Sequence, residues 1–85
     1  MKIEYTRRFE KFYRALPAHI QDRADRVLDY LLTNPSHPSL EHKKMEGYED
    51  IWEIRVNMNY RITYQKIGDT AFLRKIGTHN LLQSP

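Results

Sequence analysis

An α+β fold, with two helices laid on one face of an antiparallel sheet, is predicted by three observations. Apolar residues recur at helical spacing from Phe9 to Leu32. From Ile51 onwards they alternate with polar residues, the period of a strand. The chain thus reads as two halves, and a strand and two helices followed by a three-strand meander give an α+β domain. At 85 residues the chain is expected to form one domain, residues 1–85, with a modest core that a covering partner would help.

The elements follow in order. Lys2–Thr6 (KIEYT) alternates polar and apolar residues and predicts a short strand. In Arg7–Leu16 (RRFEKFYRAL), Phe9, Phe12, Tyr13 and Leu16 fall at i, i+3, i+4 and i+7, one stripe of an amphipathic helix. Pro17 breaks the pattern, and proline is well tolerated in the first turn of a following helix. The spacing resumes with Ile20, Ala24, Val27, Leu28, Leu31 and Leu32, a longer helix closed by Asn34 and Pro35. The tight junction makes the two helices a hairpin. Ser36–Tyr48 (SHPSLEHKKMEGY) reads as a loop with at most a short extended piece. Ile51–Asn57 (IWEIRVN), Tyr60–Ile67 (YRITYQKI) and Thr70–Ile76 (TAFLRKI) read as three strands of a meander, with Gly68-Asp69 as the second hairpin turn.

Composition narrows the possibilities. Hydrophobic residues make up 40% of the chain, too many for a disordered one. With no cysteine, disulfides and thiolate metal sites are excluded. The four histidines are scattered without metal-ligand spacing, so no metal or cofactor is expected. The charged start MKIEYTRRFEKF is not a signal peptide, and no apolar run reaches membrane length. A cytoplasmic protein is expected. The net charge of +3 suits a nucleic-acid partner, but its placement matters more than its sum.

Strand parity supplies that placement. Trp52, Ile54, Val56, Tyr60, Ile62 and Tyr64 share the face that would bury the helix stripe. Glu53, Arg55, Arg61, Thr63 and Gln65 fall on the opposite face, expected to be open to solvent. Two arginines on adjacent strands of one face repel each other, so an anion is expected to visit. A last strand ending at Ile76 would bring Gly77, Thr78 and His79 to the edge of that face.

Four stretches, taken together, resemble the RelE/ParE superfamily of bacterial toxin–antitoxin systems, and the likeness covers nearly the whole chain. They are Lys44–Gly47 (KMEG), Trp52–Val56 (WEIRV), Asn59–Gln65 (NYRITYQ) and Gly77–His79 (GTH). NYRITYQ is similar to the YRLVYQ strand of RelE-type toxins. GTH looks like the tail of the YafQ branch, where a histidine after "GT" is catalytic. The resemblance implies a RelE-like fold of N-terminal strand, two-helix hairpin and three-stranded meander. It implies the toxin of a type II system: a ribosome-dependent endoribonuclease that cuts mRNA in the A site, neutralised by a cognate antitoxin. Its reaction is attack of a 2′-hydroxyl on the adjacent phosphate.

Residue by residue, the resemblance gives Arg61 the scissile phosphate, a task that suits a planar, permanently charged donor fork. Arg55 falls where RelE-type proteins carry lysine and YafQ-type proteins histidine, and would stabilise charge or orient the backbone. His79 is the candidate for proton transfer, since histidine titrates near neutrality. Glu53 aligns with a RelE lysine, so that basic function is not reproduced; its carboxylate would serve as general base or as the orienting partner of an arginine. His42, Lys43 and Lys44, with Lys75, are the expected contacts to ribosome or RNA backbone. Other readings stay open. The arginines could form a solvated, ion-paired sheet face, and His79 could be a surface residue. Leu81 and Leu82 either fold back over the sheet edge or await an antitoxin. A ParE-like toxin that inhibits DNA gyrase by binding, or a degenerate member that only binds antitoxin, would share the fold.

Overall fold

In the computed structural model, the chain runs β1 (Lys2–Tyr5), α1 (Arg7–Arg14), α2 (Ala18–Thr33), β2 (Lys43–Lys44), β3 (Ile51–Arg55), β4 (Tyr60–Ile67) and β5 (Thr70–Thr78). Short 3₁₀ turns span Pro38–Leu40 and His79–Gln83. The backbone is described for residues 1–85 and the side chains for all but Leu81 and Leu82. The expectation for those two leucines therefore lies outside the described side chains.

Each helix starts where local chemistry allows it. The Thr6 hydroxyl accepts the Phe9 N–H at 3.1 Å and donates to the Leu73 carbonyl at 3.2 Å. One side chain thus caps α1 and fastens its start to β5. Pro17 precedes α2, and Pro35 follows the last helical turn. The hairpin is locked by Gln21 Nε2 donating to the Tyr13 carbonyl at 2.8 Å and by Tyr13 Oη donating to Asp25 at 2.6 Å. Ile20, Ala24, Val27 and Leu31 form the buried stripe of α2. The outer members of the predicted stripes stay in water: Phe12 is 40% and Leu32 46% exposed.

The sheet order is β1-β5-β4-β3-β2. Trp52 opposes Tyr64 and Ile54 opposes Ile62, as parity requires, and Ile54, Ile62, Leu31 and Leu40 are completely buried. The two helices cover this face. Gly68 has φ +60° with no positive φ at Asp69, the pattern of a type II′ hairpin turn.

Three features correct the sequence reading. The sheet has five strands rather than a meander plus one, because Lys43–Lys44 pairs antiparallel with Trp52 and Glu53. It is mixed rather than antiparallel, because β1 lies parallel to β5, Lys2 beside Thr70 and Tyr5 beside Leu73. Third, β5 is interrupted by a bulge. Thr63 pairs with Lys75 but Tyr64 pairs with Leu73, leaving Arg74 as an extra residue. The bulge resets parity, so Leu73 and Ile76 are both buried although two residues, an even number, lie between them. No helix among the described residues is long and apolar enough to cross a membrane.

Candidate nucleic-acid interface

The face of the sheet away from the helices carries two adjacent cross-strand rows. Lys43, Glu53, Thr63 and Lys75 are in register across β2, β3, β4 and β5. Beside them, Arg55 opposes Arg61, which opposes Gly77. The arginines predicted to share a face therefore do so as direct neighbours. His79 follows β5 at once and lines a hollow of about 410 Å³ with Lys43, Lys44, Met45, Glu46 and Glu53. The chain thus gathers an imidazole, two carboxylates and two ammonium groups beside an arginine pair.

Neither arginine is left loose. Arg55 Nη1 contacts Glu41 Oε2 at 2.5 Å, which relieves its repulsion with Arg61. Arg61 uses one nitrogen, Nη1, to reach the Asn57 and Tyr60 carbonyls at 2.6 and 3.0 Å. Those carbonyls belong to the β3–β4 turn, which is itself fixed by Asn57. Its side-chain oxygen accepts the Asn59 and Tyr60 N–H groups, both at 2.8 Å. A guanidinium has five N–H donors, so tethering Nη1 leaves the Nε–Nη2 edge with the fork that grips an oxyanion in bidentate fashion.

His42 departs from its expected place. Alternation along β2 turns it to the helix side, away from Lys43. There its Nε2 lies 2.8 Å from the Tyr64 hydroxyl, and its ring meets Trp52 and Tyr64 edge-on at 6.0 and 5.8 Å. Burial holds its pKa below the ordinary value, outweighing the opposite effect of the Pro35 carbonyl. Burial also pushes the Tyr64 hydroxyl up to about 12. A neutral ring accepting from a protonated phenol satisfies both preferences. His42 therefore belongs to a separate hollow of about 480 Å³ that includes Trp52, Tyr64, His37 and Lys66.

The open face is also less open than predicted. Thr63 is completely buried, because the chain beyond His79 folds back over it. Thr63 Oγ1 donates to the Pro85 carbonyl at 3.1 Å, Arg74 Nε donates to the same oxygen at 3.2 Å, and Lys75 Nζ donates to the Ser84 carbonyl. Sequence reasoning missed Glu41, Asn57 and Arg74. Glu41 lies in a segment read as a loop, which carries no parity, whereas an asparagine in a tight turn is itself a signal. Nothing local announces the bulge that turns Arg74 to this side.

Comparison with known proteins gives the class to which this fold, with its cationic, carboxylate-bearing sheet face, belongs. The sequence profile described as "ParE toxin of type II toxin-antitoxin system, parDE" matches residues 3–80. Toxin RelE3 of Methanocaldococcus jannaschii is 32% identical over 78 residues, covering 89% of this chain and 88% of that one. The RelB–RelE antitoxin–toxin complex of Methanococcus jannaschii superposes with a TM-score of 0.77 at 26% identity, covering 93% of both chains. YafQ from E. coli strain BL21(DE3) superposes equally well, 0.77, at 15% identity over 95% of this chain and 96% of that one. The chain belongs to the RelE/ParE superfamily of type II toxin–antitoxin toxins, on its RelE side.

Proposed function

We propose that this toxin is an endoribonuclease that acts on mRNA at the ribosome. The observation that carries the reading is the meeting of His79 and Glu53 in one hollow beside the Arg55–Arg61 pair. In the reaction, the 2′-oxygen forms a bond to phosphorus as the bond to the 5′-oxygen breaks. One proton leaves the 2′-hydroxyl and one reaches the 5′-oxygen, giving a 2′,3′-cyclic phosphate and a 5′-hydroxyl. His79 transfers a proton, Glu53 takes one or orients the histidine, and Arg61 carries the developing charge on the phosphorane. Arg55, held by Glu41, adds positive potential. Lys43, Lys44 and Lys75 follow the RNA backbone. DNA has no 2′-hydroxyl and cannot react this way.

The partner that restrains this activity is an antitoxin. Two observations support one: the likeness to chains solved as toxin–antitoxin complexes, and an apolar hollow of about 410 Å³ between the helices and β1, lined by Tyr5, Phe9 and Tyr13. The test is translation in vitro with purified toxin. Message cut at ribosome-engaged codons, and spared without ribosomes, supports the proposal. Intact message together with blocked DNA supercoiling would replace it with a gyrase-binding toxin.

A further inference from the structure

We propose that Asn57 is the positioning residue of Arg61: by building the β3–β4 turn it holds the guanidinium off Glu53 and keeps it aimed at the phosphate. The inference rests on the reading of this face as a nuclease site and deepens it by naming the residue that sets the aim.

The turn works as a mount. Asn57 Oδ1 accepts the Asn59 and Tyr60 N–H groups, an arrangement that fixes the backbone between β3 and β4. The Tyr60 carbonyl in turn accepts the Val56 and Asn57 N–H groups at 3.0 and 3.3 Å. From the helix layer, Arg23 Nε donates to the Val56 carbonyl at 3.0 Å, so the turn is tied to α2 as well as to the sheet. Arg61 Nη1 donates to the Asn57 and Tyr60 carbonyls of this frame. With its Cα fixed in β4 and one nitrogen fixed on the turn, the planar guanidinium is held in one orientation before any anion arrives.

The tether answers a competitor. Glu53 opposes Thr63 while Arg55 opposes Arg61, so Glu53 is the diagonal neighbour of Arg61, within reach of a long side chain. A carboxylate is a stronger acceptor for a guanidinium than a carbonyl is. Among the described residues, however, Arg61 forms no ion pair; two carbonyls presented together at fixed points hold it instead. Were the turn to loosen, Arg61 would close on Glu53. One contact would then consume both the phosphate-binding fork and the carboxylate of the site.

Nitrogen-15 NMR of the guanidinium tests the mount directly, with Arg61→Lys identifying the signals. A tethered Nη1 slows rotation about the Cζ–Nε bond, so the native chain should give two separate Nη signals for Arg61, little changed by Glu53→Gln. In Asn57→Ala the signals should move to new positions, and adding Glu53→Gln should merge them, because Arg61 has changed partner. A single averaged signal in the native chain, which depends on no variant folding, overturns the proposal. So do native signals that merge on Glu53→Gln, or native-like signals in Asn57→Ala. Single-turnover cleavage on ribosomes reads the consequence. Asn57→Ala should slow it about 10- to 100-fold. The ribosome concentration giving half the maximal rate should change by less than about threefold, since Arg61 acts on charge that develops in the transition state. Asn57→Asp, whose carboxylate accepts the same two N–H groups, should recover most of the rate. A near-native rate in Asn57→Ala, or an equal loss in Asn57→Asp, contradicts the role. A native chain that cuts no message would remove the nuclease reading alone, and the nitrogen signals would still decide what Asn57 does.

Discussion

Arg61 and His79 can be separated by what each substitution spares. Arg61→Ala removes the free guanidinium edge from a half-exposed site, so message cleavage should be lost while the thermal transition stays nearly in place. Arg61→Lys restores charge without the fork and should recover activity only in part. His79→Gln keeps a polar side chain of similar size but no proton shuttle. It should slow single-turnover cleavage by about 10²- to 10⁴-fold and leave ribosome and antitoxin binding close to normal; near wild-type cleavage would make Glu53 the leading base. His42 should behave differently, as a stability residue. Its folded pKa lies below the unfolded value, so the unfolded chain takes up the proton more readily. Its contribution is therefore complete above about pH 6.5 and is lost as pH falls through that value towards the folded pKa. Tyr64 gives the mirror case: raised from 10.0 to about 12, it contributes below pH 10 and loses that contribution as pH rises towards 12. Urea melts across pH 4–8 should show the acid limb in the native chain and a shallower one in His42→Gln. An unchanged limb in the variant would remove His42 as its source.

At the scale of elements, the bulge in β5 makes the sharpest prediction. Deleting Arg74 removes the extra residue and leaves Thr63 opposite Lys75 and Tyr64 opposite Leu73, so Lys75 stays outward and Ile76 inward. The shortened strand should therefore keep the cooperative melt seen by circular dichroism, as should Arg74→Ala; loss of that melt would contradict the assigned bulge. This element also marks how far sequence reading reaches. The helices and β3–β5 were legible because periods of 3.6 and 2 are written into the positions of Phe9, Ile20, Ile54 and Ile62. The same parity placed Arg55 beside Arg61 and brought His79 to their edge. The bulge was not legible, because TAFLRKI alternates passably in either register and only pairing with Thr63 and Tyr64 decides. Nor was the direction of β1, which depends on a partner at the far end of the chain. His42 was misplaced because HKK was read as a loop, and a loop has no parity; two residues of strand suffice to send His42 and Lys43 to opposite sides. A tail folding back over the sheet edge was one of two readings of Leu81 and Leu82, but its place over Thr63 was not legible, since its hydrogen bonds use backbone oxygens that any residue would supply.

Over the whole molecule, a modest net charge accompanies a cluster of cations on one face. Lys43, Arg61, Arg74 and Lys75 lie on the sheet face opposite the helices, while the helices mix six basic side chains with four acidic ones. Binding of single-stranded RNA should therefore weaken steeply with salt. Lys43→Ala should reduce the slope of log K against log salt concentration by about 0.7, the value of one phosphate contact on a single strand. His42→Gln, on the other side of the sheet, should leave the slope unchanged, and equal slopes for both variants would contradict the assignment of faces. The parallel pairing of β1 with β5 has a temporal consequence. Translation makes β1 before the other described strands, yet among them its sheet neighbour is β5, the one made latest. His79 lies later still. A nascent copy on the ribosome thus has an unclosed sheet and no assembled site, whatever else has folded. The order of synthesis leaves β1 waiting for its partner until Thr70–Thr78 has emerged from the ribosome.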